Sequence, residues 1–134
     1  MSGKSKDSLD LYLSLANEYK LPVEIKQKYT RKAFEVIMSQ PDDSLKRVNL
    51  FKVANRYFNM RDWNGYNKTV KIILEKSQKA KDSLSMSKAY IYLGDYYSSQ
   101  ASSDSAFACY YKAEKIYLEA NDFYNLAKTR LSKA

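Results

Sequence analysis

Few residues in this sequence have the types and spacing that catalysis or metal binding requires. The chain of 134 residues contains no histidine, which excludes Ser-His-Asp and Cys-His catalytic arrangements and the common zinc sites. Asp42 and Asp43 are adjacent carboxylates, but they follow Pro41 and precede an apolar-periodic stretch, a position typical of a helix N-terminus. Cys109, the single cysteine, stands in FACYYKAEK and is interpreted as a small packing residue rather than a nucleophile. We predict no catalytic residue, no metal and no cofactor.

Composition favours one helical domain. The chain is 45% hydrophobic, and its high content of Ala, Leu, Lys, Glu and Ser with only three glycines indicates an all-α fold without a phosphate-binding glycine loop. No apolar run approaches the length of a membrane span, so we expect no membrane contact. The start MSGKSKDSLD has no apolar signal region, which predicts a cytoplasmic protein, or a periplasmic one that lost its leader.

An acidic residue recurs before each apolar-periodic stretch. The tripeptide DSL occurs three times and a further aspartate follows, at intervals of 36, 39 and 40 residues. An interval of this size is typical of repeat proteins. The side-chain oxygen of each aspartate can accept hydrogen bonds from the first amides of a helix. The four predicted caps are Asp7, Asp43, Asp82 and Asp122.

Each predicted cap leads into a pair of helices with a shared pattern. The first helices read YLSLANEY, LFKVANRYF and YIYLGDYY, which align a large apolar residue, a small residue and a tyrosine. The aligned residues are Leu15, Ala16 and Tyr19; Val53, Ala54 and Tyr57; Leu93, Gly94 and Tyr97. Steps of four and three mark one apolar stripe on each second helix. These stripes are Tyr29, Ala33 and Val36; Tyr66, Val70 and Ile73; Ala106, Tyr110 and Ala113.

The small residue in each first helix has a physical explanation. Glycine inside a helix costs about 1 kcal/mol relative to alanine, so Gly94 needs a compensating role. A side chain larger than methyl would hold two crossing helices apart. Ala16, Ala54 and Gly94 are therefore predicted where the second helix of each hairpin leans on the first.

These motifs resemble the tetratricopeptide repeat family, whose unit is a helix-turn-helix. The third unit resembles it most, with Leu93, Gly94, Tyr97, Ala106 and Tyr110 followed by Ala113, although Leu118 stands where the family usually has proline. The resemblance implies an α-solenoid of about three antiparallel hairpins plus an incomplete C-terminal helix, in a single domain spanning 7–134. The units are predicted at about 7–40, 43–80 and 82–120, with a partial unit at 121–134 and a disordered tail at 1–6.

The resemblance also implies a function in protein interaction. Spacing, caps and the tail AEKIYLEANDFYNLAKTRLSKA are similar to the repeats of bacterial sensor histidine kinases and regulators. In stacked hairpins the first helices line a concave wall, which we expect to bind a protein or peptide segment. The predicted lining residues are Leu13, Asn17, Val48, Phe51, Lys52, Asn55, Phe58, Lys88, Ile91, Tyr92 and Asp95.

Two asparagines of this list fall at equivalent places in the repeat. Asn17 and Asn55 are predicted either to hold a peptide backbone or to bond to a neighbouring helix. The sequence departs from tetratricopeptide domains that clamp a C-terminal carboxylate, because Leu13 and Phe51 stand where those domains have a basic residue.

A net charge of +8 leaves a second class of function open. The second helix of the second unit carries a run of lysines, which could face nucleic acid or could simply be solvated. We favour the solvated interpretation. These lysines are Lys68, Lys71, Lys76, Lys79 and Lys81.

The last helix lacks a partner helix in the sequence. Phe123, Leu126, Ala127 and Leu131 fall at helical spacing after the fourth cap. A short terminal helix of this kind is marginal alone. We predict poor order or self-association through residues 121–134.

Overall fold

A computed structural model describes residues 3–133, and helices are the only regular secondary structure within this range. The predicted all-α class is confirmed: no strand occurs among the described residues. The helices are α1 (Gly3–Ala16), α2 (Val23–Met38), α3 (Ser44–Asn59), α4 (Trp63–Ala80), α5 (Ser83–Ser99), α6 (Ser103–Glu119) and α7 (Phe123–Lys133).

The N-terminus differs from the sequence prediction. Helix α1 begins at Gly3, so the predicted disordered tail is wrong for residues 3–6, while residues 1 and 2 lie outside the described range. Asp7 consequently lies inside α1 and does not cap it. The other three predicted caps are confirmed: their carboxylates accept hydrogen bonds from the amides of Lys46, Ser85 and Asn125, at 2.9, 3.2 and 3.2 Å.

The described helices divide into two compact units, and the predicted single domain stays a prediction. One unit, here called the N-terminal unit, ends at Thr69, and the C-terminal unit begins at Val70, within α4. In the N-terminal unit α2 packs against both α1 and α3. In the C-terminal unit α6 packs against both α5 and α7. These are helical hairpins of the kind an α-solenoid is built from.

The buried face of α1 is rotated relative to the predicted one. Leu9, Leu13 and Ala16 are buried, whereas Tyr19 is 82% exposed, beyond the end of the helix. The predicted packing role of Tyr19 is therefore wrong. The helix ends at Ala16, and the loop that follows leads into Pro22, whose ring disfavours helical backbone at Leu21.

The α5–α6 hairpin is antiparallel and closely packed. Gly94 lies against the ring of Tyr110, and an added Cβ would be 2.7 Å from the Cδ1 atom of that ring. Leu93 and the stripe Ala106, Tyr110 and Ala113 are buried, as predicted. The close approach explains glycine at this position, because even a methyl group would force the ring to move.

The four turns from α3 to α7 share one geometry at intervals of 20 residues. Each has a non-glycine residue in left-handed backbone, with φ between 54° and 58°. The amide of the next residue donates to the carbonyl five positions back at 2.8 to 2.9 Å. This is the Schellman helix ending. The left-handed residues are Arg61, Lys81, Ala101 and Asn121.

The earlier turn between α2 and α3 is closed by a side chain instead. The buried ammonium of Lys46 donates to the carbonyls of Met38 and Gln40 at 3.1 and 2.9 Å, and it lies 3.1 Å from the Asp42 carboxylate. Lys46 thereby satisfies the carbonyl of Met38, the last residue of α2, which the helix itself leaves unpaired, and that of Gln40 in the turn.

Candidate binding groove between α5 and α7

A groove of about 500 Å³ lies in the C-terminal unit. Helix α5 forms one wall, α7 with its capping residue forms the other, and a tyrosine of α6 lies between them. The lining residues are Leu84, Lys88, Ile91, Tyr92, Tyr117, Asp122, Asn125, Lys128, Thr129 and Ser132.

Helical periodicity brings the residues of each wall to one face. On α5 the lining positions are separated by four, three and one residues, and on α7 by three, one and three. Near the start of α7, the Asp122 carboxylate accepts from the backbone amide and side-chain amide of Asn125, at 3.2 and 2.8 Å. The Thr129 hydroxyl donates to the Asn125 carbonyl at 2.8 Å. These bonds fix the α7 wall from within the helix.

A core beneath the groove holds its walls together. Ala113 and Tyr117 of α6 form a buried cluster with Leu126 of α7, and Tyr90 and Ile91 of α5 pack against it. At the far end of α7, Lys133 forms an ion pair with Glu114, and its Nζ lies 3.8 Å from the centroid of the Tyr111 ring. Both charged side chains of the pair are largely buried. Helix α7 is thus attached to α6 along its length.

The groove carries a lysine on each wall. Lys88 and Lys128 stand five residues after the first residues of α5 and α7, respectively. Both helices run antiparallel to α6 and hence parallel to each other, which places Lys88 and Lys128 at corresponding positions along the two helices. The Lys88 Nζ lies 5.8 Å from the centroid of the Tyr92 ring.

Asp122 and Tyr117, at the base of the groove, both contribute to the fold. Asp122 is used as the cap of α7. Burial, with a smaller contribution from the Asp122 charge, raises the pKa of the Tyr117 phenol. Tyr117 therefore stays neutral at physiological pH, and the charged side chains that line the groove are Lys88, Lys128 and Asp122.

Three of the four residues predicted for the third unit line this groove: Lys88, Ile91 and Tyr92. Asp95 has a different place. Its carboxylate accepts a hydrogen bond from the Tyr110 hydroxyl at 2.7 Å, next to the Gly94 contact. Burial raises the pKa of Asp95, and the bond from Tyr110 partly offsets this. Asp95 stabilises the hairpin.

Two residues predicted to face a groove in the first two units are buried instead. Leu13 and Phe51 are each only 5% exposed, so the prediction that they line an open surface is wrong. Leu13 belongs to the buried stripe of α1. Phe51 lies on α3, which contacts both α1 and α2 and is therefore covered on more than one side.

The remaining predicted residues of these units lie at the surface. Asn17 follows the end of α1 and accepts a hydrogen bond from the Asn59 side chain at 3.5 Å, whereas Asn55 lies within α3, so their predicted equivalence is wrong. Phe58 is partly exposed, but its ring packs edge-on against Trp63 with centroids 5.2 Å apart. Val48 and Lys52 are exposed.

Sequence reasoning missed the α7 wall of the groove. Asn125, Lys128 and Ser132 were not predicted, because the last helix was interpreted only as an incomplete unit. The repeat interval itself could have identified Lys128, since adding 40 residues to Lys88 leads to it. A groove between the first helices of two successive units can be predicted only when both helices are considered.

The other chemically interesting features have structural explanations. Burial raises the pKa of the Cys109 thiol, which disfavours the reactive thiolate. Within residues 3–133 no group of three potential metal ligands comes together, and none of the helices is long and apolar enough to cross a membrane. Among the lysines of α4, Lys79 pairs with Glu75 at 3.1 Å on an exposed surface.

The outer face of α7 is apolar and open. The exposed fraction is 61% for Phe123 and 75% for both Tyr124 and Leu131. These residues lie opposite the face that packs on α6. Self-association through this surface stays a prediction.

Comparison with protein families and with curated proteins gives no relative from which to transfer a function. No protein-family model matches this chain, and no curated protein matches it significantly. The tetratricopeptide resemblance accordingly stays a prediction, and the function is inferred from the groove.

Proposed function

We propose that this chain is an interaction module of tetratricopeptide-like repeats that binds an extended segment of another protein between α5 and α7. The observation that carries the proposal is the groove of about 500 Å³, which combines apolar side chains with two lysines. A concave site with apolar contact area and a few polar groups is the usual form of a recognition site.

The shape of the groove favours a peptide over a folded partner. Its walls are two parallel helices, so it is elongated along them. An extended segment presents side chains at regular intervals and keeps its backbone polar groups near water. Leu84, Ile91 and Tyr92 supply apolar area, while the lysines supply charge.

Catalysis is not part of the proposal. The groove contains one carboxylate, Asp122, which caps a helix, and the buried thiol of Cys109 is not among the lining residues. We propose a scaffolding or sensory role, and a setting in a bacterial sensor kinase or regulator follows only from the sequence resemblance.

A selection experiment tests the proposed function. Short random peptides displayed on phage are selected on the immobilised chain, and the enriched peptides are measured by titration calorimetry. Tyr92→Ala should weaken their binding about tenfold, which corresponds to about 1.4 kcal/mol. Tyr124→Ala is the matched control, because Tyr124 is exposed on α7 and is not among the residues that line the groove.

The proposal fails if no peptide is enriched or if Tyr92→Ala binds the enriched peptides as tightly as the unmodified chain. Circular dichroism of both variants checks that they remain folded. Steep weakening with salt and preference for RNA would instead support the nucleic-acid alternative.

A further inference from the structure

We propose that the groove selects a peptide in which a central acidic residue is flanked, two positions away on each side, by apolar residues. This inference rests on the proposed function and specifies its ligand. Three features carry it: the spacing of the α5 wall, the paired lysines, and the apolar side chains at both ends.

The spacing of the α5 wall matches an extended chain. Leu84, Lys88 and Tyr92 follow one another at four-residue steps on one face of α5. At about 1.5 Å of rise per residue, each step covers about 6 Å. In an extended peptide, side chains on one face recur every second residue, about 6.6 Å apart. Over two steps the difference is only about 1.2 Å, which lysine and tyrosine side chains can absorb.

The middle of the groove is suited to a carboxylate. Lys88 comes from one wall and Lys128 from the corresponding level of the other, so a central acidic side chain would lie between two ammonium groups. The lining carboxylate, Asp122, stands at the start of α7 and is bonded to Asn125. Both lysines have flexible stems, which allows them to close on a single anionic group.

The two ends of the groove are suited to apolar side chains. Leu84 is 58% exposed near the start of α5. One turn beyond Lys88, Ile91 and the Tyr92 ring provide the apolar surface at the other end. Because the pattern is the same in both chain directions, it holds whether the peptide runs parallel or antiparallel to α5.

A set of three probe peptides tests the inference by fluorescence anisotropy. The first is acetyl-Leu-Thr-Glu-Thr-Leu-amide with a fluorophore attached through a linker. The second replaces Glu by Gln, and the third moves Glu next to the first Leu. We expect the first peptide to bind about tenfold more tightly than either of the others.

Two variants of the protein locate the effect. Lys128→Gln should weaken the Glu peptide about fivefold and leave the Gln peptide unchanged, since a neutral side chain removes one charge of the pair. Lys115→Gln is the control: Lys115 is exposed on α6 and is not among the residues that line the groove. Lys128 is itself exposed, so its replacement should leave the fold intact.

Equal binding of the Glu and Gln peptides, or an equal loss in both lysine variants, would overturn the charge assignment. Equal binding of the shifted peptide would overturn the spacing. If phage-selected peptides still depend on Tyr92 in those cases, the proposed groove function stands and only this specificity fails.

Discussion

Both units have a glycine that lies against a tyrosine ring of the neighbouring helix, Gly65 against Tyr57 and Gly94 against Tyr110, but the N-terminal unit also connects its helices through cationic side chains. Lys46 binds the carbonyls of Met38 and Gln40 at the end of α2, and the Arg56 guanidinium donates from α3 to the Leu13 carbonyl at 3.2 Å. In the C-terminal unit, Gly94 lies against the Tyr110 ring.

The difference teaches that similar hairpins can be held by two kinds of interaction with different tolerances. A steric contact fails when volume is added, because the interior has no space to absorb it. A polar closure fails when a donor is removed, because buried carbonyl groups then lose their partners. Substitutions can therefore separate the two mechanisms.

The largest effect on the free energy of unfolding is expected from Gly94→Leu, which adds volume where Gly94 contacts the Tyr110 ring. The Tyr110 ring cannot move away freely, since its hydroxyl is bonded to Asp95 at 2.7 Å. We expect a loss of about 3 kcal/mol in the free energy of unfolding, measured by urea denaturation. Gly3→Leu is the matched control, because an added Cβ at Gly3 meets nothing within 4 Å. Equal stability of the two variants would contradict the packing explanation.

Lys46→Met removes the polar contacts that close the turn between α2 and α3 in the N-terminal unit. Methionine keeps most of the stem but removes the donors to Met38 and Gln40. The expected loss is about 2 kcal/mol in the free energy of unfolding. Lys79→Met is the control, since Lys79 has the same 3.1 Å pair with a carboxylate four residues before it but is exposed. If Lys79→Met lowers the free energy of unfolding as much as Lys46→Met does, burial of the Lys46 ammonium group does not explain the effect.

The stability of the protein at alkaline pH tests the contribution of Tyr110, which packs against Gly94. Burial raises the pKa of Tyr110 to about 12, whereas an unfolded tyrosine ionises near pH 10. The folded state therefore retains a proton that the unfolded state loses, so this contribution is full below about pH 10 and is lost as pH rises toward 12. Tyr110→Phe should show a shallower loss of stability in this window, by up to about 2 kcal/mol.

For the alkaline experiment, the measured quantity is the change in unfolding free energy between two pH values, since Tyr110→Phe also loses the bond to Asp95. Tyr124→Phe, at an exposed site, serves as the control. If all three proteins lose stability in parallel, the Tyr110 hydroxyl does not carry the effect.

The smallest effect is expected at the shared turn. Ala101 has a φ of 56°, a conformation that glycine adopts without steric cost. Ala101→Gly should raise the free energy of unfolding by about 0.5 to 1 kcal/mol, visible as a higher thermal midpoint. Ala108→Gly, at an exposed position inside α6, should instead lower it by about 1 kcal/mol. Destabilisation by both would contradict the turn geometry.

The sequence predicted those features that depend on local patterns. The caps Asp43, Asp82 and Asp122 and the buried α6 stripe follow from side-chain chemistry and from a period of about 3.6 residues. Gly94 was also explained, because the cost of a helical glycine demands a close contact.

Features that depend on the number of neighbouring helices were not predictable. Periodicity identifies an apolar face, but it does not show that α3 is contacted by two helices, which is why Phe51 was assigned to an open surface. The burial of Lys46 could not be predicted from the sequence, because it depends on the end of α2 lying beside this side chain. For the same reason only half of the groove was predicted. Lys88 follows from the pattern of one helix, whereas Lys128 can be placed only when the next helix is considered.

The uniform turns of the chain from α3 to α7 also constrain how its length can change. Because the left-handed residues recur at 20-residue intervals, each helix and turn together form a module of constant length. Deleting a single residue inside such a helix would rotate everything after it by about 100° and bring polar side chains to the core face. Copying 40 consecutive residues would instead preserve every face. An insertion or deletion of that size is therefore expected to keep the side chains of these helices in register.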